Sequence, residues 1–305
     1  MQIFPHHYQS SLFSEKIRAI LGYLDLDWFS VETSIIMPRP LLMPLTGGYR
    51  RTPNLQIDSN VYCDSAMIGR ALARHTGQEA LFAPGFAAHR VAEWADSQLF
   101  RTVVALNFAP AAVGAMFGNF EGLSVEDFAK DRAELTGGQA MQSFSAESAA
   151  SSFDHTMVEL EESLRAPFLF GANPSIADFS VYHCLWFLRN NPVNAPRLDR
   201  FANILAWLER IAAFGHGRSI EATGEQALAT AKATEPVLPA IATALPPEVS
   251  LGSRVHATPV DYGLVPVEGE LVGCSAHEIV LLRETPETGP VMTHFPRAGF
   301  DLTAV

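Results

Sequence analysis

The sequence predicts three units in chain order: a small α/β unit over residues 1–83, an all-α unit over 84–234 and a small all-β unit over 235–305. Three observations carry this. Short strand-length apolar runs alternate with helical patterns in the first stretch. Apolar residues recur at helical spacing almost throughout the second. In the third, prolines appear at Pro236, Pro239, Pro246, Pro247, Pro259 and Pro266, and five short strand-like runs replace the helical period.

Residues 2–8 read as a strand. A helix follows, with Ile17, Ile20, Leu21 and Leu24 on one side and Ser10 or Ser11 as its cap. Residues 28–32 form a second strand. Three prolines and Gly47-Gly48 make 37–48 a loop or a broken helix. Strands at 54–57 and 61–63 flank a turn at Asp58-Ser59-Asn60, and Asp64-Ser65 opens the next helix. Helices are then expected near 87–106, after Ser124, over 146–165, from Ser175 and over 199–213. Ser124/Asp127 and Ser175/Asp178 have capping-box spacing. The last five strands are expected at 254–257, 269–273, 278–283, 291–295 and 299–302, in a barrel-like or two-layer arrangement.

Composition narrows the function. The chain has 305 residues, 48% of them hydrophobic and 18% charged, which suits packed globular units. A net charge of -12 opposes nucleic-acid binding, which needs a basic face. No apolar stretch is long enough to span a bilayer, and the first eight residues lack a basic segment followed by an apolar run, so neither membrane insertion nor a secretory leader is expected. Cys63, Cys184 and Cys274 are scattered, which suits a reducing cytoplasm. Cys63 reads as a small buried strand residue. His6 and His7 face opposite sides of a strand. His256, His277 and His294 lack partners at ligand spacing, so no metal is expected.

Three segments carry candidate chemistry. Ser11-Leu12-Phe13-Ser14 lies where the first strand meets the first helix. Two cysteines there would make a redox pair, because a helix start lowers a thiol pKa; two serines cannot. A hydroxyl there either caps the helix or donates to a thiolate brought by a ligand, with help from the helix dipole. Thr52-Pro53 enters a strand. A cis bond would turn the Thr52 N–H and C=O outward to pair with an extended peptide; a trans proline would be ordinary. Asp64-Ser65 offers free N–H groups to a carboxylate and an acid to an ammonium, or simply a cap.

In order and spacing these segments resemble the glutathione transferase superfamily. SLFSEKIRAIL resembles the Ser-type active-site segment, RTPNLQIDSNVYCDSAMI the cis-proline hairpin with its acidic-Ser pair, and PFLFGANPSIADFSVYHCLWFL the buried-helix segment of the helical domain. The likeness runs from residue 1 to about 215, and the remainder has no counterpart in ordinary members. It implies a thioredoxin-like first domain, a helical-bundle second domain and glutathione as substrate or cofactor without a metal. Ser11 would stabilise the thiolate, with Tyr8 and Ser14 as rivals. Thr52, before Pro53, would pair with the cysteinyl backbone, and Asp64 and Ser65 would hold the γ-glutamyl end. Arg39, Arg50 and Arg51 have the charge to meet the glycyl carboxylate. Phe100, Val104, Phe108 and Phe117 are candidates for the wall facing an apolar electrophile. A cytoplasmic homodimer working in detoxification is the implied setting. Two alternatives stand beside it: a non-catalytic scaffold that keeps the fold, and a glutathione-dependent isomerase or dehalogenase.

Overall fold

The computed structural model describes residues 1–117, 122–137, 144–238 and 243–305; Pro239, one of the prolines marking the change in composition, lies outside them. The first unit runs β1 (Ile3–His7), α1 (Leu12–Tyr23), β2 (Asp27–Glu32), the single turn α2 (Met43–Thr46), β3 (Asn54–Ile57), β4 (Asn60–Cys63) and α3 (Ser65–Thr76). β1 pairs parallel with β2 and antiparallel with β3, and β3 pairs antiparallel with β4. This is the thioredoxin-like arrangement. Ile17, Ile20 and Leu21 on α1 are at most 1% exposed, and they share one core with Met67, Ile68, Ala71 and Leu72 of α3 and with the helices that follow. Each such burial stabilises by roughly 1.5–3 kcal/mol.

The helical unit contains α4 (Phe86–Trp94), α5 (Phe100–Asn107), α6 (Val113–Phe117), α7 (Val125–Leu135), α8 (Ala146–Ser163), α9 (Ile176–Arg189) and α10 (Ala202–Ala212). The one long helix expected near 87–106 is interrupted by a π-turn at Ala95–Leu99. Such a turn inserts an extra residue and re-aims side chains, and here the carboxylate of Asp96 meets Lys16 of α1. α9 is the central helix. Asp178, at its start, is fully buried and accepts from Leu169 N (2.8 Å), Ser175 N (2.8 Å), Ser175 Oγ (2.9 Å) and Trp207 Nε1 (3.0 Å).

The chain leaves the helices sooner than their periodicity suggested. β5 (Arg218–Ala222) pairs parallel with β2. α11 (Gly224–Ala233) then crosses the sheet, touching β2 and β9 (Gly289–Pro296). The C-terminal strands β6 (Arg254–Pro259), β7 (Val267–Cys274), β8 (Glu278–Thr285), β9 and β10 (Phe300–Ala304) all form. They do not close into a barrel. They make an open array ordered β10-β6-β7-β8-β9, and β9 pairs parallel with β4, so one ten-stranded sheet runs from β10 to β5. The physical reason is that β4 would otherwise be an unpaired edge. A second core of Leu45, Tyr49, Val61 and Cys63 with Val255, Leu271, Ile279 and Phe295 joins the two units.

A buried polar group reinforces that joint. His294 Nδ1 lies 2.7 Å from Glu278 Oε1 and its Nε2 2.9 Å from Asn60 Oδ1, while Arg74 donates to Glu278 at 2.9 and 3.3 Å. The Tyr62 ring stacks on His294 at 4.3 Å. Burial opposes ionisation of Glu278, but the His294 and Arg74 hydrogen bonds prevail and hold its carboxyl down at about 2.

Candidate active site

Ser11 is the N-cap of α1. Its Oγ accepts from Ser14 N at 3.2 Å, which leaves the hydroxyl hydrogen free to donate. Although only 4% exposed, Ser11 lines a cavity of about 510 Å³ together with Tyr8, Ser10 and Thr52. Ser14 is buried and does not line that cavity. The Thr52–Pro53 bond is cis. The Thr52 N–H and C=O take no partner among the described residues, while its hydroxyl accepts from Arg39 Nη1 at 2.8 Å. Ser11 and Thr52 therefore border one space.

The opposite wall is apolar. Phe100, Val104 and Phe108 line it as expected, joined by Met116, Phe128 and Phe187. Phe108 stacks on Phe128 at 5.6 Å, and Phe117 stands behind, edge-on to both. Phe128 and Phe187 escaped sequence reasoning; each sits on an ordinary helical apolar face, which carries no mark of cavity-facing use.

The arginines have internal partners. Arg39 is 7% exposed and donates to the carbonyls of Ser34 (2.7 Å), Ile35 (2.8 Å) and Arg50 (2.6 Å) besides Thr52 Oγ1. Arg50 pairs with Asp131 of α7. Arg51 pairs with Asp261 and donates to the Tyr262 carbonyl, both from the β extension. Arg39 and Arg51 would have to release a partner before binding a ligand carboxylate, whereas Arg50 donates through Nη2 alone among the described residues.

Asp64 lines a different cavity from Ser11, and Ser65 lines neither. Asp64 caps α3, its Oδ1 accepting from Ala66 N at 2.9 Å, and it lines a second cavity of about 670 Å³. Burial pushes its carboxyl up, against the pull of the Ala66 N–H and of Arg51 and Lys16. Ser65 accepts from Lys16 Nζ at 3.3 Å. Lys16, fully buried, also holds Asp96 at 2.6 Å, and Asp96 lies 3.0 Å from His183. Burial resists the Asp96 charge, yet Lys16 and the His183 hydrogen bond bring its carboxyl down to about 2. Sequence reasoning missed this Lys16–Asp96–His183 chain; its only signal was a lysine in an otherwise inward-facing helix turn. Cys63 is fully buried, and burial raises its thiol well above the ordinary value, which leaves it an inert core residue. Among the described residues no group of His, Cys, Asp and Glu could hold a metal, and no helix is long and apolar enough to cross a membrane.

Two family models match this chain: the glutathione S-transferase N-terminal domain over residues 6–80 and the C-terminal domain over residues 129–210. The structure of a GST-like protein from Pseudomonas syringae is 38% identical, superposes with a TM-score of 0.82 and covers 99% of both chains. The chain belongs to the glutathione transferase superfamily. Glutathione transferase F2 from Populus trichocarpa (13% identity, TM-score 0.52) covers 69% of this chain and 93% of its own. A glutathione S-transferase from Rhodospirillum rubrum (13%, 0.51) covers 70% and 88%. These two share the fold. Their coverage leaves nearly a third of this chain unmatched, whereas the Pseudomonas syringae protein matches 99% of it. No curated protein matches the sequence. Membership in this family makes glutathione the ligand class against which the two cavities are to be read.

Proposed function

We propose that the protein is a glutathione transferase in which Ser11 stabilises the glutathione thiolate for attack on an apolar electrophile. The supporting observation is the shared cavity: a helix-capping hydroxyl with a free hydrogen, an unpaired Thr52 peptide beside it and a phenylalanine wall opposite. The helix dipole and the Ser11 hydrogen bond both favour the negative sulfur, so more nucleophile exists at neutral pH. The thiol proton leaves to solvent. The sulfur lone pair forms a bond to the electrophilic carbon, and the leaving group departs with the bonding pair. In this reading Thr52, before Pro53, pairs with the cysteinyl main chain, and Asp64 and Ser65 meet the γ-glutamyl end. A cytoplasmic homodimer is part of the proposal.

Ser11→Ala tests it. A charge-assisted hydrogen bond contributes about 1.5–3 kcal/mol, so turnover with a model electrophile should fall about 10- to 100-fold with little change in glutathione affinity. Tyr8→Phe should leave turnover near wild type. Full activity in Ser11→Ala would remove Ser11 from the mechanism.

A second reading, a glutathione-fold binding protein without catalysis, is favoured by one observation: Ser11 and Asp64 line different cavities. Calorimetric binding of glutathione without turnover across an electrophile panel would select it.

A further inference from the structure

Among the described residues, Arg51 alone lines both cavities. It is held from the side of the β extension. Its guanidinium carbon stands 3.7 Å from the centroid of the Tyr262 ring, and it donates to the Asp261 carboxylate and to the Tyr262 carbonyl. Tyr262 faces the Ser11 cavity, while Val260 and Asp261 face the Asp64 cavity. The segment is anchored at both ends. Val260 N donates to Gly299 O at 3.1 Å, and Gly263 N donates to Leu135 O, at the end of α7, at 2.9 Å. Gly263 has a φ of +59°, and a Cβ there would lie 3.1 Å from Leu135 Cδ1, so glycine permits this close approach. A strap from the third unit thus runs between its anchors at Gly299 and Leu135 and holds Arg51, the residue the two cavities share.

We propose that Asp261 and Tyr262 are specificity determinants of the thiol site. The inference rests on the glutathione reading above. A ligand touching Ser11 and Asp64 at once must pass Arg51, and its own carboxylate must replace that of Asp261. The exchange is chemically even, one carboxylate for another on the same guanidinium. The Asp261 side chain is 52% exposed against 12% for Arg51, so the acid swings into water while the arginine stays. Tyr262 must leave the guanidinium face as well. A thiol without a γ-glutamyl arm, such as cysteinylglycine, fits the Ser11 cavity and leaves the strap closed. The strap therefore penalises the full tripeptide selectively.

The test is calorimetric titration of the full-length protein with glutathione, S-hexylglutathione and cysteinylglycine, comparing wild type with Asp261→Asn, Tyr262→Ala and Tyr262→Phe; thermal melts confirm that each variant is folded. Asp261→Asn should tighten both glutathione ligands about two- to fivefold, the scale of a partly exposed ion pair. Tyr262→Ala should tighten them about tenfold through the lost cation–π contact and the opened passage. Tyr262→Phe should match wild type, and cysteinylglycine should bind all four proteins alike. Equal glutathione affinity in all four overturns the strap and keeps the glutathione site. Equal tightening of cysteinylglycine overturns the selectivity. No glutathione ligand binding to any of the four overturns the site reading, and the strap with it.

Discussion

Glu278→Gln probes the joint between the β extension and the first unit. Glu278 is 2% exposed and is shared by His294 and Arg74. Its carboxyl is held at about 2 rather than 4.5. Each pH unit of such a difference corresponds to about 1.4 kcal/mol, so the folded state gains about 3 kcal/mol from this ionised group. Mutational experience with buried pairs gives about 3–5 kcal/mol for removing one partner; Arg74, a third exposed, pulls the value to the lower end through solvent screening. The sign follows from linkage: a carboxyl held below its unfolded value stabilises above about 4.5 and loses that contribution as pH falls toward 2. Urea unfolding followed by far-ultraviolet circular dichroism should therefore show Glu278→Gln about 3 kcal/mol less stable at pH 7, with the gap about halved at pH 3 and nearly closed at pH 2. A gap below about 1 kcal/mol at pH 7, or one undiminished at pH 3, would refute the reasoning.

Three further outcomes are expected. His6 is buried, and burial lowers its imidazole from 6.5 to about 4 against the Gln56 hydrogen bond, so stability is complete above 6.5 and drains away as pH falls toward 4; His6→Gln should flatten the stability–pH slope there by about 1.4 kcal/mol per pH unit, and an unchanged slope counts against it. Asp178→Ala strands the buried Trp207 and Ser175 donors and should cost about 3 kcal/mol or more of unfolding free energy; a melting temperature within a degree of wild type would contradict this. Deleting residues 236–305 bares the β4 edge and removes most of the second core, so the truncated chain should aggregate on size exclusion; a monodisperse product would show that the first two units stand alone.

Local features of the fold and site were legible in the sequence. The cis Thr52–Pro53 bond is an expectation of the family resemblance, since the local sequence allows either isomer, whereas Ser11 before an apolar-periodic helix and Asp64-Ser65 at a helix start are nearest-neighbour signals, and the structure has a cap at each. The five terminal strands were legible for the same reason: in β7, Val267 and Leu271 face inward while Glu268 and Glu270 face out. Docking was not legible. Parallel pairing of β4 with β9 is made by backbone groups, which are the same at every residue. The partners of Lys16 and Arg51 lie 80 and 210 positions away, and no spacing rule spans that distance. The capture of Arg51 by Asp261 and Tyr262 could not be foreseen for that reason.

The seam between β4 and β9, together with β5 beside β2, has a consequence for how the protein comes off the ribosome. The four founding strands emerge first, but both of their lateral flanks are completed by segments synthesised last, after all of the bundle. The amino-terminal unit therefore waits with backbone donors and acceptors bare, on one side for about 155 residues until β5 and on the other for about 225 until β9, translated at roughly 5–20 per second. The nascent chain should need a chaperone's shelter for that interval of roughly 8 to 45 seconds, and the finished molecule locks only when its tail arrives.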